Sequence, residues 1–302
     1  MLRRLTLLLF LIVASCCFAL ATEFTSLSGP YLGQTPPEST PRLFAPGVVS
    51  VWEDFEHSAA VFSPDGTEVF WCTVKDRYDP AATEWLERLY TTRLVEGYWA
   101  EPEVAAFVAD FEVPVGRPVF SPDGGRLYVE YFRNAPRESD ADIFFVERVE
   151  GEWSEPVRLP SGINTTLCER IHCVTADGSM YFTRGLMSSQ ESVFVAHFVD
   201  GSFTRPEQLG APFDMDGHEL AIAVAADESF ALIGITRTGA EDILYVTYRN
   251  PDGTWTDRIR APYRCGGFLS LSPDGEYLFF LGDGIFWVDT SFVEDLKPAH
   301  LR

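Results

Sequence analysis

The sequence predicts an all-β, five-bladed propeller built from four-stranded antiparallel blades. Three observations carry this. The first is a repeated turn: Phe62-Ser63-Pro64-Asp65-Gly66 returns as Phe120-Ser121-Pro122-Asp123-Gly124 and Leu271-Ser272-Pro273-Asp274-Gly275, with weaker copies at Val174-Thr175-Ala176-Asp177-Gly178 and Val224-Ala225-Ala226-Asp227-Glu228. The second is their spacing, which falls from 58 to 47 residues between starts at 62, 120, 174, 224 and 271, about the length of one propeller blade. The third is an aromatic-x-x-Pro signal in phase with the turns: Trp99 and Pro102, Trp153 and Pro156, Phe203 and Pro206, and Trp255 with Arg258 in the Pro place.

Each element follows from local chemistry. Asp-Gly between apolar runs is a hairpin signal, because Gly accepts positive φ and Asp bonds its own backbone. Strands flank every copy, for example 69–72, 127–131, 180–183, 230–233 and 278–281. A second alternating run precedes each aromatic signal, at 89–94, 143–149, 193–198 and 243–248. Pro after the aromatic suits an outermost strand, where a missing N–H costs no ladder bond. The last copy lacks an aromatic-x-x-Pro strand, while Pro41-Arg42-Leu43-Phe44-Ala45-Pro46 looks like the end of a repeat without its beginning. The N-terminal segment near 42–45 is therefore expected to supply the outer strand of the fifth blade and close the ring, removing open sheet edges. The alternative is a six-bladed ring with one degenerate blade. Residues 81–88 are the one helix-compatible stretch. Ala176 and Ala226 in the Pro place, and Glu228 in the Gly place, predict altered turns in blades 3 and 4.

The domain plan is a signal peptide at 1–21, an extended tether or overlying strand at 22–39, and the propeller at 40–302. Arg3 and Arg4 precede an apolar core at 5–13 that is too short to span a bilayer. Two exits compete. Val13-Ala14-Ser15-Cys16 fits a lipobox, with Cys16 lipidated, and Ala19-Leu20-Ala21 fits ordinary cleavage. Either implies export: periplasmic, anchored to the outer membrane or extracellular. No other stretch is long and apolar enough to span.

The formal charge is −22, and losing Arg3 and Arg4 with the signal takes it to −24. Such a surface excludes nucleic acid and anionic lipid, which need basic patches. A protein or glycan ligand remains open, and a monomer is expected. Cys72 and Cys265 fall in blades that become neighbours on closure, so a bridge between them is one arrangement the ring would allow. Cys168 and Cys173 lie too far apart along one strand to bridge.

Catalytic signatures are missing: no GxSxG, HExxH, P-loop or dinucleotide fingerprint. A sialidase-type Asp-box is missing as well. Asp214-x-Asp216-Gly217 with Glu219 hints at calcium but lacks the rest of an EF-hand loop. No cofactor is expected, although a divalent cation in the channel is compatible with the pattern. What remains is positional. The starts of the inner strands open at one face, and polar groups cluster there: Glu56, His57, Arg117, Glu169, Arg170, His172, His218, Glu219 and Arg264. One reading is a solvated channel wall whose groups pair with one another. The other is a ligand site with carboxylates and imidazoles converging from several blades.

Phe-Ser-Pro-Asp-Gly followed by an aromatic-rich strand resembles the WD40-like propeller repeat of the TolB type. Gly29-Pro30-Tyr31-Leu32-Gly33-Gln34, Ile163-Asn164-Thr165, Ile285-Phe286-Trp287-Val288-Asp289 and Leu296-Lys297-Pro298 extend the resemblance to a group of exported bacterial proteins. The resemblance implies a binding or scaffolding propeller in the cell envelope. The alternative is a hydrolase or lyase acting on a carbohydrate or peptide through His57, His172 or His218, with Glu56, Glu169 or Glu219 as partners.

Overall fold

A computed structural model describes residues 27–51, 55–75, 86–109, 115–132, 141–186, 190–213, 219–236, 241–265 and 267–302. They form five antiparallel blades. The inner strands are Phe55–Glu56 with Val61–Phe62, Val115–Phe120, Cys168–Val174, Glu219–Val224 and Leu269–Leu271. In the fifth blade the outer strand is Arg42–Leu43, with Arg42 opposite Trp287 and Leu43 opposite Phe286. The split repeat closes the ring as expected.

The repeated turn is held by its own side chains. Ser63 Oγ donates to Asp65 Oδ1 at 2.6 Å and accepts from the Glu68 N–H at 2.9 Å, while Gly66 sits at φ +70°. The same pattern recurs from Ser121 to Asp123, Thr175 to Asp177 and Ser272 to Asp274. In blades 3 and 4 the backbone of the turn is kept, with the closing bonds Gly178 N–H to Thr175 O and Glu228 N–H to Ala225 O both 2.8 Å, as at Gly66, while the blade 4 turn is altered in its side chains because Ala225 has no hydroxyl to donate to Asp227. Neither bond needs Pro. Glu228 takes the left-handed φ of +58° itself, and its carboxylate accepts the Tyr181 hydroxyl at 2.7 Å.

Proline interrupts the outer strands rather than ending them. Pairing stops after Trp99, Trp153 and Phe203 and resumes at Glu103–Val104, Val157–Arg158 and Glu207–Gln208, just beyond each Pro. The stretch expected to be helix-compatible is strand at 86–88, because Leu86–Val95 pairs with Glu68–Lys75; 81–85 lie outside the described residues. The α-helix among the described residues is Ser291–Leu296, whose Phe292 and Val293 pack into the core between blades 4 and 5.

Period-2 alternation assigns side chains to the inter-blade cores. On the second strand of blade 1, Val69 and Trp71 face blade 5, whereas Phe70 and Cys72 face blade 2. That parity rules out the Cys72–Cys265 bridge. Cys72 Sγ lies 3.6 Å from Val115 O, Cys265 packs between blades 4 and 5, and the two are not joined by a disulfide.

Residues 27–40 lie along the seam between blades 1 and 5. Trp99 donates its N–H to Leu27 O at 2.7 Å and its indole N–H to Gly29 O at 2.8 Å. The Tyr31 ring meets Phe62 and Tyr277 edge-on at 5.2 and 5.3 Å, and its hydroxyl donates to Asp274 at 3.0 Å. Gly33 has φ +72°, and a Cβ there would stand 2.5 Å from Ser28 O. Gly33→Ala should therefore cost about 2 kcal/mol or more in a chemical-denaturation experiment, combining backbone strain with displacement of the seam segment.

Candidate functional site

The centre of the channel holds a cluster of charged and aromatic groups. His57 Nδ1 lies 3.0 Å from Glu87 Oε1, and its ring meets Phe268 edge-on at 5.0 Å. The Arg117 guanidinium stacks over the same Phe268 at 4.2 Å and approaches Glu130 Oε1 at 3.3 Å. From blade 3, Arg170 Nε stands 4.0 Å from Glu191 Oε1. Backbone strain aims this set inward. Arg117 has φ +46° immediately before Pro118, a position that favours extended backbone, and the strand shifts register between Gly116 and Val119. Phe268 is left-handed too, at φ +62°.

Glu130 is 0 % exposed, and among the described residues neither of its oxygens nor Arg170 Nε has a hydrogen-bond partner. Burial pushes the Glu130 carboxyl up to about 7; Arg117 and Arg170 pull the other way, while Glu87 and Glu191 reinforce the rise. His172 is buried with Nε2 3.3 Å from Thr183 Oγ1. Burial, then Arg117 and Arg170, hold it well below the usual imidazole range, so it is neutral.

Of the predicted residues, the structure brings His57, Arg117, Arg170 and His172 together. Three others are turned to local work. Glu56 accepts the Val51 N–H at 2.9 Å. Glu169 is fully buried, accepting the Thr165 N–H at 3.0 Å and Arg184 Nε at 3.1 Å. Arg264 is exposed and pairs with Glu241 at 2.6 Å. Glu219 occupies its strand opposite Thr236. The Glu219 side chain, His218, Asp214, Asp216, Gly217 and Cys16 lie outside the described residues. Sequence reasoning missed Glu87, Glu130, Glu191 and Phe268. Glu130 did carry a signal: it is the one charge in the otherwise apolar run Leu127-Tyr128-Val129-Glu130-Tyr131-Phe132.

This cluster is a constriction. A gap of about 20 Å³ between Ser58, Arg117, His172 and Phe268 leads to a chamber of about 540 Å³ at the turn end of the inner strands. All five blades line the chamber, through side chains such as Val61, Val119, Val174, Val224 and Leu271, with His172 at its base. Its polar rim comes from the repeated turns, including Ser121, Asp227 and Asp274. Bonds from the Ser229 hydroxyl and N–H hold Asp227 below the usual carboxylate range. Burial opposes ionisation of Asp274, but the Ser272 hydroxyl, the Glu276 N–H and Tyr31 outweigh it. Among the described residues no three His, Cys, Asp or Glu gather as metal ligands, and no helix is long and apolar enough to cross a membrane.

No family model and no curated protein matches the chain. Solved structures do show a partial likeness to it. They include TolB from Acinetobacter baumannii (18% identity, TM-score 0.48, 75% of this chain and 48% of that one) and the Hadza microbial sialidase Hz136 (11%, 0.49, 75% and 53%). A putative TolB from Agrobacterium tumefaciens is another (19%, 0.46, 74% and 68%). TolB-type propellers are thus among the neighbours of this structure. The chain spans about half the length of the first two proteins.

Proposed function

We propose that the protein is an exported, non-catalytic binding propeller of the cell envelope that takes its ligand in the central channel. The observation that carries this reading is the chamber. Its volume of about 540 Å³ falls within the range of ligand sites, ~300–1,000 Å³, and its lining combines apolar strand residues with polar groups from the turns. The charged groups above it stand in ion pairs with one another, His57 with Glu87, Arg117 with Glu130 and Arg170 with Glu191. That shifts the candidate site from the polar mouth toward the turn end.

One observation favours the hydrolase or lyase alternative. His57 is oriented by Glu87 at 3.0 Å, the arrangement of a general base with its positioning carboxylate. Two measurements separate the readings. A neutral apolar peptide with a Leu-Phe-Leu core should bind the wild type by calorimetry and lose about tenfold or more in affinity in Ala226→Trp. Ala226 is an exposed chamber residue whose contribution to the turn is its backbone, so a ring there fills the opening. Second, ester, lactone, glycoside and peptide substrates should show no turnover that His57→Ala removes. Turnover lost in His57→Ala, with no peptide binding, would replace binding by catalysis.

Export rests on Arg3, Arg4 and the apolar core at 5–13. Mass spectrometry of the mature protein should find a chain beginning at a lipidated Cys16 or at Thr22. Retention of residues 1–15 would overturn this route.

A further inference from the structure

We infer that the chamber is built for a basic peptide segment with a bulky apolar anchor, the anchor filling the chamber and its positive charges meeting the ring of turn aspartates. This rests on the chamber being the binding site and adds the chemistry of the partner.

The lining sets the charge preference. Among the described residues that line the chamber, the ionised ones are Asp227 and Asp274, with no Lys or Arg. His172 at the base is neutral. An anionic ligand would meet uncompensated negative charge with nothing to pair against. The repeat then multiplies the acids. Asp65, Asp123 and Asp177 occupy the equivalent place in the other three turns, and those turns reach the chamber through Pro64, Pro122 and Ala176. All five aspartates are exposed. Each is held below the usual carboxylate range, chiefly by bonds inside its own turn. Two aspartates thus line the opening directly, and three more stand beside residues that line it, one in each of the five turns.

The neighbouring cations do not cancel them. Arg148, near Asp65, is paired with Glu68. Arg126, near Asp123, binds Glu147 at 2.7 Å. Lys297, near Asp227, pairs with Glu294 at 3.2 Å. His197, near Asp177, is hydrogen-bonded to Ser179 at 2.8 Å. The charges are spread over the turns of all five blades, two of them in the chamber wall itself. A segment carrying several cations about an apolar centre matches that spread, whereas a compact ligand with one cation would meet only one side of the ring. Complementarity of this kind favours the right partner and speeds its approach.

The test uses the full chain and three synthetic peptides sharing a Leu-Phe-Leu core, flanked by arginines, serines or glutamates, measured by calorimetry. The Arg-flanked peptide should bind about tenfold tighter than the Ser-flanked one and weaken as salt is raised, with the Glu-flanked peptide weakest. Ala226→Trp should abolish binding of the Arg-flanked peptide. The double variant Asp227→Asn with Asp274→Asn keeps acceptor oxygens in the turns. It should narrow the affinity ratio between the Arg-flanked and Ser-flanked peptides from about tenfold toward one. Equal binding of all three peptides, each lost in Ala226→Trp, would overturn the charge inference and leave the binding reading standing. Arg-flanked binding that survives Ala226→Trp would place the peptide on the acidic surface at large and overturn the inference. No binding by any of the three would remove the binding reading as well.

Discussion

Phe44→Ala should lower unfolding free energy by about 3–5 kcal/mol, the cost of deleting a fully buried aromatic side chain and leaving a cavity. Phe44 is 0 % exposed and packs edge-on against Phe62, Phe279 and Trp287 at 5.9, 5.0 and 5.3 Å. Its position adds an effect that a core residue elsewhere would not have. Phe44 follows the closing strand Arg42–Leu43, and its N–H donates to Ile285 O at 2.7 Å. Loosening it frees the outer edge of blade 5 as well as creating a cavity. Hydrogen exchange should therefore accelerate across Ile285–Asp289 and at the Trp99 amide, where residues 27–40 clamp blade 1. Phe182→Ala, in the core of blades 2 and 3, should cost a similar amount without that local opening. Equal exchange patterns in the two variants would refute closure by the N-terminal strand as the weak point of the ring.

Glu130→Gln should flatten the dependence of stability on pH. Burial raises the folded pKa of Glu130 from 4.5 to about 7, so the folded state binds the extra proton between those values. Stability therefore falls as pH rises through that window and levels off above it. The full size of the effect is about 3 kcal/mol, from roughly 1.4 kcal/mol per pKa unit. His172 contributes the opposite slope, because its depressed pKa costs stability as pH falls. The difference between Glu130→Gln and the wild type isolates Glu130. It should move by about 3 kcal/mol in favour of the variant between pH 4.5 and 8. A flat difference would mean that Arg117 and Arg170 hold the carboxylate ionised throughout.

The repeat made the architecture legible. Ser-Pro-Asp-Gly is a turn whose own side chains satisfy its backbone, so the motif reports local structure wherever it stands. The split repeat at 41–46 reported closure for a similar reason: an outer strand without an inner one has to pair elsewhere. The site was legible only where inner strands supply it, which returned His57, Arg117, Arg170 and His172. Glu87, Glu130 and Glu191 come from second and third strands, and they reach the channel because the blades twist. Arg117 and Phe268 face it through left-handed backbone that no local residue preference announces. Parity told which residues of 69–72 share a face, but not which face meets which neighbour, so the orientation of Cys72 away from Cys265 was hidden. Nor did the spacing of the turns reveal that their inner ends leave a chamber, because the width of the channel depends on how five blades meet.

Methyl NMR of the full chain, titrated with the neutral Leu-Phe-Leu peptide, tests the central claim most directly. Binding in the chamber should shift the methyls of Val61, Val119, Val174, Val224 and Leu271, all of which line it, while leaving Val95, Val149 and Val199 on the exposed outer hairpins unmoved. Shifts confined to those outer hairpins, or to the strand starts around Glu87 and Glu191, would contradict the chamber as the binding site.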